Sequence, residues 1–197
     1  LSQLRGWSMS RGNPEADPAA TCRLFEVAGF PRPVVCWNPD PATLPAPQLT
    51  AIGTFWSNLV AQEGQPDPAH IDPAAFVPAL GYLMLLEPVD DGRDFHYRLY
   101  GTQIARWSGL DLTGQRVSEI TGAGVRPHVQ AFFMAGYQAV MARRQPLYSA
   151  HVPPAERTTT TWHRLILPFW DTAAAVSRLL VGNVPLPKCP SGVGPLA

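Results

Sequence analysis

The chain contains 197 residues, of which 46% are hydrophobic, and this length favours one domain with extensions around a single sizeable core. Its 15 Lys and Arg residues balance 15 Asp and Glu residues, which excludes the broad basic surface that binds nucleic acids and anionic membranes. No run of about 18 apolar residues could span a bilayer, and no basic segment leads into an apolar one at the N-terminus. We therefore predict a cytoplasmic protein without a nucleic-acid or membrane partner.

The cysteine pattern gives no sign of a disulfide framework or a zinc site. Cys22, Cys36 and Cys189 are odd in number, far apart and without a C-x-x-C pair. Disulfide-rich domains and structural zinc sites need paired or closely spaced cysteines. We expect reduced thiols, which agrees with a cytoplasmic location.

Prolines dominate the first quarter of the chain and leave no apolar period long enough for a regular element. They stand at Pro14, Pro18, Pro31, Pro33, Pro39, Pro41, Pro45 and Pro47. Residues 1–46 are therefore predicted to be a flexible or loosely docked arm. Its apolar patch, at residues 24–27 and 34–37, could lie on a neighbouring surface or a partner subunit, or form a short strand. Residues 185–197 are predicted to be a flexible tail on the same grounds.

A helical apolar pattern begins at Pro47, and Gly64 follows it as a stop. Its apolar residues recur at spacings of three and four, which gives one apolar face: Leu49, Ile52, Phe55, Trp56, Leu59 and Val60. This predicts an amphipathic helix over residues 47–62. Asp72 and Pro73 then have the chemistry of an N-cap and a first helical residue, so a short helix is expected next.

The remaining elements alternate between strands and helices. Residues 82–87 and 95–100 predict a β-hairpin around an Asp-Asp-Gly turn, followed by short helical turns at 102–107 and 117–120. A long helix begins near Pro127 and ends before Pro146. Residues 147–152, 158–169 and 176–184 predict further strands. Residues 47–184 are thus expected to form one α+β domain, a five-stranded antiparallel sheet with short helices and one long helix on one face.

Three spaced segments in this order resemble a bacterial subfamily of PAS domains. They are Phe95-x-Tyr97-Arg98-Leu99-x-Gly101-Thr102, Gly109-x-Asp111-Leu112-Thr113-Gly114 and Leu165-Ile166-Leu167-Pro168. The resemblance covers residues 47–184. It implies a small-molecule pocket between the concave face of the sheet and the central helices, and an N-terminal helix that serves as cap and dimer contact. It also implies signalling rather than catalysis.

The resemblance leaves the ligand open, because PAS domains bind haem, flavins, organic acids, aromatic compounds or nothing. Sensory PAS domains usually stand beside a kinase, cyclase or DNA-binding module, and the rest of this sequence is too short and proline-rich for one. We therefore expect the signal to pass to a partner protein, and the chain to form a homodimer through residues 47–62.

Aromatic residues are the main candidates for a ligand site. They fall on elements that would line a PAS interior: Tyr97, Trp107, Phe132, Phe133, Tyr137 and Trp162. Aromatic walls with a few polar tips suit a flat organic ligand, although the same residues could fill the core. Tyr97, Tyr137 and His163 would supply hydrogen bonds. Strand alternation allows at most one of Trp162 and His163 to face inward.

Arg98 has two interpretations. Its planar guanidinium could anchor a ligand carboxylate, or an ion pair or backbone contact could fix the strand to the following turns. We favour the second interpretation because buried arginines are normally paired. Gly101 and Gly114 are expected to serve backbone conformations that only glycine tolerates, and Thr102 to cap the next turn.

The cofactor is left open by the sequence. His128 lies in the first turn of the long helix, on the side of Phe132, where an axial haem ligand could stand; a solvent-exposed histidine is the simpler interpretation. Flavin photochemistry in related domains needs a cysteine in the central helices, and residues 95–145 contain none.

The predicted function is a small-molecule-sensing or signalling domain that acts through a partner protein. A ligand-free interaction and dimerisation scaffold of the same fold is the alternative, and a small α+β enzyme is the third possibility. His151, Glu156 and His163 are the only loosely grouped titratable residues late in the chain. Their spacing matches no hydrolase or metal signature, so we do not expect an enzyme.

Overall fold

The computed structural model describes residues 17–153 and 160–187. The helices are α1 (Pro18–Val27), α2 (Pro47–Glu63), α3 (Thr102–Ser108) and α4 (Pro127–Arg143). The strands are β1 (Val34–Trp37), β2 (Leu83–Val89), β3 (Asp94–Tyr100), β4 (Leu147–His151), β5 (Thr160–Trp170) and β6 (Val176–Pro187). Short 3-10 segments lie at Pro41–Thr43, Pro68–His70, Pro73–Tyr82, Asp90–Gly92 and Val117–Glu119. None of the described helices has the length and apolar character needed to cross a membrane.

The strands form one antiparallel sheet in the order β1-β4-β5-β6-β2-β3. Its centre is the long hairpin of β5 and β6, which pair from Thr160 opposite Pro187 to Trp170 opposite Val176. This confirms the predicted α+β fold with an antiparallel sheet and one long helix. The sheet has six strands rather than five, because β1 adds to its edge.

Residues 17–46 are folded, which differs from the predicted arm over residues 1–46. Asp17 caps α1 by accepting a hydrogen bond from the Ala19 N–H at 2.9 Å, and Pro18 stands at the first helical position, where no backbone N–H is needed. The apolar patch predicted at residues 34–37 pairs with β4 as β1. Residues 1–16 and 188–197 lie outside the described residues, and residues 185–187 of the predicted tail end β6.

Helix α2 covers one face of the sheet. Leu49 and Ile52 pack so closely over Gly182 of β6 that a Cβ atom there would overlap their side chains. The indole Nε1 of Trp56 donates a hydrogen bond to the Pro168 carbonyl at 2.8 Å. The apolar side of α2 is thus buried within its own chain. The predicted homodimer through residues 47–62 stays a prediction.

Helices α3 and α4 lie on the opposite face. Gly136 of α4 comes close to the Ile166 side chain of β5, and neighbouring residues Leu165 and Leu167 of β5 are buried on the α2 side. Because successive strand residues point to opposite faces, every second residue of β5 and β6 faces α4. This alternation fixes which polar groups can meet beneath α3 and α4.

The two predicted backbone glycines hold β3 in place. A Cβ atom on Gly101 would clash with the backbone of Gly81 and Leu83, while Gly114 has a φ of +81° and its N–H donates to the Tyr97 carbonyl at 2.8 Å. Both positions therefore favour glycine. Thr102 was expected to be a cap, but it is the first residue of α3, and Gly101 precedes it without a side-chain cap.

Candidate functional site

A cavity of about 640 Å³ lies between the sheet and helices α3 and α4. This volume falls within the range of about 300–1,000 Å³ that is usual for small-molecule sites. Its walls are mainly aromatic and aliphatic: Tyr97, Tyr100, Trp107, Phe133, Trp162, Leu110, Leu112, Val125 and Val129. Its polar lining includes His151, Arg164, Asn183, Ser108 and Arg126. Among the described lining residues there are two arginines and no Asp or Glu.

Strand register brings the deep polar residues together. Arg164 of β5 lies opposite Asn183 of β6 and opposite Ser149 of β4, so all three face the same side of the sheet. Trp162 precedes Arg164 by two residues and lines the same cavity. His163, between them, is paired on the other face, where its Nδ1 lies 2.6 Å from the Tyr148 hydroxyl. The sheet thus directs Trp162 inward and His163 outward, as alternation requires.

Arg164 is the most unusual group in the cavity. The residue is only 3% exposed. Its Nε and Nη1 atoms have no hydrogen-bond partner among the described residues. The guanidinium carbon lies 3.5 Å from the centre of the Phe133 ring, which gives a cation–π contact. Among the described residues, no carboxylate forms an ion pair with Arg164, although buried charges are almost always paired.

Two further buried polar side chains surround this cation. Asn183 is 4% exposed, and its Oδ1 has no hydrogen-bond partner in the described part of the chain. The buried Nδ1 of His151 also has no hydrogen-bond partner there. The pKa of His151 is lowered to about 3, mainly by burial and to a smaller extent by the positive charge of Arg164. The imidazole is therefore neutral at physiological pH, so that one ring nitrogen donates and the other accepts.

Two tyrosines complete the polar lining. Burial raises the pKa of Tyr97 well above its ordinary value, and the neighbouring Tyr137 adds to this effect. Burial likewise raises the pKa of Tyr100. Both side chains keep their hydroxyl protons at any physiological pH and can donate a hydrogen bond.

The predicted ligand-binding residues divide into two groups. Tyr97, Trp107, Phe133 and Trp162 line the cavity, and Trp107, which is 51% exposed, lies at its boundary with solvent.

Phe132, Tyr137 and Arg98 do not line the cavity. Phe132 packs edge-on against Phe25 of α1, with ring centres 5.4 Å apart. Tyr137 is fully buried and packs against Phe95. Arg98 is half exposed and its Nε lies 2.9 Å from a carboxylate oxygen of Glu87. The ion pair therefore joins β3 to β2, not to the following turns as expected.

His128 also lies outside the cavity lining. Its ring stacks on Phe30 with centres 5.2 Å apart and meets the edge of Phe25 at 4.8 Å. The expectation of a solvent-exposed histidine does not hold, because α1 and the residues after it cover the first turn of α4. The ring therefore faces α1 rather than the cavity.

The loose group of titratable residues does not converge. His151 faces the cavity and His163 the opposite side of the sheet, while Glu156 lies outside the described residues. Within residues 17–153 and 160–187, no cluster of His, Cys, Asp or Glu side chains could hold a metal ion.

Sequence reasoning missed Arg164, Asn183, His151 and Tyr100 as site residues. One signal for Arg164 was available: it follows Trp162 by two residues on an apolar strand, so both share a face. The positions of Asn183 and His151 depend on the register of β6 and β4, which the sequence does not fix.

Comparison with known protein families agrees with this architecture. The sequence model of the PAS domain family matches residues 45–183. Among solved structures, the chain is similar to one described as an RNA-binding light-oxygen-voltage receptor, with a TM-score of 0.38 and 10% sequence identity. The match covers 69% of this chain and 49% of the receptor chain, about half of it. No curated protein matches the sequence.

Proposed function

We propose that this chain, which belongs to the PAS domain family, is a sensory domain that binds a small organic molecule and signals through a partner protein. The observation that carries the proposal is the cavity of about 640 Å³ beneath α3 and α4. A scaffold without a ligand would be expected to fill this space with its own aromatic side chains. Here Tyr97, Phe133 and Trp162 instead line it.

The two sheet faces suggest how binding could reach a partner. Arg164 and Asn183 face the cavity, and their chain neighbours Leu165 and Gly182 face α2. A Cβ atom at Gly182 would overlap the α2 side chains Leu49 and Ile52. A displacement of β5 and β6 by a ligand would therefore be transmitted to α2, because tightly packed interfaces move together rather than deform. A partner or a second copy of the chain would detect the position of α2.

We propose binding rather than catalysis for this site. The buried His151 is neutral and stays so down to a pH of about 3, which is too low for a general base at physiological pH. The other polar groups of the described lining include two arginines, an amide, and serine and phenol hydroxyls. These groups recognise and orient a ligand.

Native mass spectrometry of the purified protein, together with thermal-shift titration, tests this proposal. We expect a retained organic molecule, or a rise in melting temperature with at least one of three probes: indole, phenylacetate or octanoate. Val129→Phe, which places a larger side chain on the α4 wall of the cavity, should abolish the effect. Val77→Phe changes an exposed residue, 61% accessible, and should leave it intact.

Two results would contradict the proposal. The first is an empty protein whose melting temperature responds to none of the three probes. The second is an equal response in Val129→Phe and the wild type, which would place binding outside the cavity.

A further inference from the structure

We propose that the ligand is a small organic acid whose carboxylate pairs with Arg164 and whose apolar body lies against the aromatic walls. This inference rests on the ligand-binding role proposed above and adds the chemical class of the ligand. It is carried by a buried cation that lines the cavity and has no carboxylate partner within residues 17–153 and 160–187.

The charge of Arg164 has no counterpart in the described part of the chain. Taking a guanidinium out of water costs several kcal/mol unless an anion or hydrogen bonds replace the lost hydration. The one buried carboxylate among the described residues, that of Asp94, accepts hydrogen bonds from the hydroxyl of Ser118 at 2.7 Å and from the Phe95 N–H. Glu87 pairs with Arg98 and Arg178 instead. A ligand anion would supply the missing counter-charge.

The groups around Arg164 suit a carboxylate. A guanidinium pairs with a carboxylate in a planar, bidentate arrangement, and Asn183 lies directly opposite on the neighbouring strand, where its amide N–H groups can donate to the same oxygens. The neutral His151 and the hydroxyl of Tyr97 line the same cavity. Among the described lining residues, an approaching acid would meet donors and no Asp or Glu side chain that repels it.

The rest of the lining selects an organic body rather than an inorganic anion. Phe133, Trp162 and Val129 present rings and a methyl-bearing side chain to the cavity, and such walls favour a flat or aliphatic group. Inorganic phosphate has no apolar part that could contact these walls. Arg126, exposed at the start of α4 and also lining the cavity, adds positive charge where a ligand would enter.

Isothermal titration with matched acids and amides tests the inference directly. The pairs are phenylacetate with phenylacetamide, and octanoate with octanamide, which differ in charge but hardly in shape. We expect each acid to bind at least tenfold more tightly than its amide. Arg164→Met should weaken acid binding at least tenfold and leave amide binding unchanged. Arg98→Met, which removes an arginine outside the cavity, should leave both unchanged.

The outcomes separate this inference from the function on which it rests. Equal binding of acids and amides, or unchanged acid binding in Arg164→Met, would overturn the organic-acid class while leaving a ligand-binding cavity. Inorganic phosphate that binds as tightly as phenylacetate would overturn it as well. Failure of every acid in a protein that retains a neutral molecule or binds indole would overturn only the organic-acid class. Failure of every acid and amide in an empty protein that also does not respond to indole would contradict the proposed function itself. The comparison of acid with amide in the wild type needs no variant, so a poorly folding Arg164→Met does not remove the test.

A partner within the chain is the remaining competitor for Arg164. If Glu156 supplied the counter-charge, Glu156→Gln would lower the melting temperature of the ligand-free protein, and this loss would disappear in combination with Arg164→Met. That result would overturn the inference. We expect instead that Glu156→Gln leaves both the melting temperature and the affinity for phenylacetate unchanged.

Discussion

The two faces of the central sheet are built from neighbouring residues of the same strands but are packed in opposite ways. On the α2 face, Gly182 lies so close to Leu49 and Ile52 that it has no room for a methyl group. On the other face, Arg164 and Asn183 border open space, and polar atoms of both have no hydrogen-bond partner among the residues that the structure describes. Tight packing stabilises a fold, whereas unpaired buried polar groups cost free energy. The α2 face thus contributes packing, while the other face has the open space and polar groups that the proposed binding function requires.

The largest effect is expected on the packed face. Gly182→Val would force its side chain against Leu49 and Ile52 and should destabilise the protein by about 3 kcal/mol, the upper end for overpacking of a core. Urea denaturation of the purified protein measures this loss. The matched substitution on the cavity side is Gly136→Ala, where a Cβ atom would make only ordinary contacts, 3.5 Å from Ile166.

Gly136→Ala should stabilise the protein by about 0.5–1 kcal/mol, because alanine favours a helix interior more than glycine does. If both substitutions changed the free energy of unfolding equally, the difference in packing between the two faces would be refuted.

Acid sensitivity should come from the cavity side. The unfolded chain protonates His151 below a pH of about 6.5, whereas the folded protein holds its pKa at about 3. Between these values the unfolded state binds one more proton, so stability falls as pH falls, by about 1.4 kcal/mol per pH unit.

His151→Leu should remove this part of the pH dependence, and urea denaturation at pH 7, 6, 5 and 4 measures it. Burial also lowers the pKa of His163, which contributes with the same sign, so the difference between wild type and variant isolates His151. Parallel stability curves for the two proteins would show that His151 is not buried in its neutral form.

Removing the unpaired charge should not weaken the fold. Arg164→Met keeps most of the side-chain volume and eliminates a buried cation without a described counter-charge. We expect the ligand-free protein to be about 1 kcal/mol more stable, since replacing buried charges by apolar groups is often neutral or stabilising. A loss of about 2 kcal/mol or more in thermal denaturation would mean that Arg164 is a structural residue, held by its contact with Phe133.

The smallest expected effect concerns the predicted homodimer through residues 47–62. Ser57 and Asn58 lie on the exposed side of α2, away from the sheet. Changing both to arginine should leave the melting temperature unchanged and should convert a dimer to a monomer in sedimentation velocity, because like charges would face each other across the contact. Identical sedimentation of wild type and variant would contradict a dimer through this helix.

Local sequence patterns predicted those parts of the molecule that depend on local chemistry. The apolar period of α2 and the alternation that separates Trp162 from His163 could both be inferred from neighbouring residues. The pairing of Arg98 with Glu87 could not, because it joins two strands. The six-stranded sheet could not, because prolines suggested an arm. Pro18 instead starts a helix, and Pro33 directly precedes β1, so neither removes a hydrogen bond that these elements need.

The decisive part of the site depends on contacts between distant segments. Arg164 meets Ser149 and Asn183 only through the register of three strands, and no local pattern shows whether a buried arginine has a carboxylate nearby. Tyr137 and Phe132 have the same helical spacing as residues that line the cavity. Phe132 is instead buried against α1, and Tyr137 against β3. Both contacts depend on where α1 and β3 lie in the fold.

The most direct measurement is an NMR titration of the tryptophan indole N–H signals with phenylacetate and phenylacetamide. Trp107 and Trp162 line the cavity, whereas Trp56 packs between α2 and the sheet and is bonded to Pro168. We predict that phenylacetate shifts the Trp107 and Trp162 signals in a saturable manner, leaves Trp56 nearly unmoved, and loses this effect in Arg164→Met. Signals that respond equally to acid and amide, or equally with and without Arg164, would contradict an arginine-centred binding face.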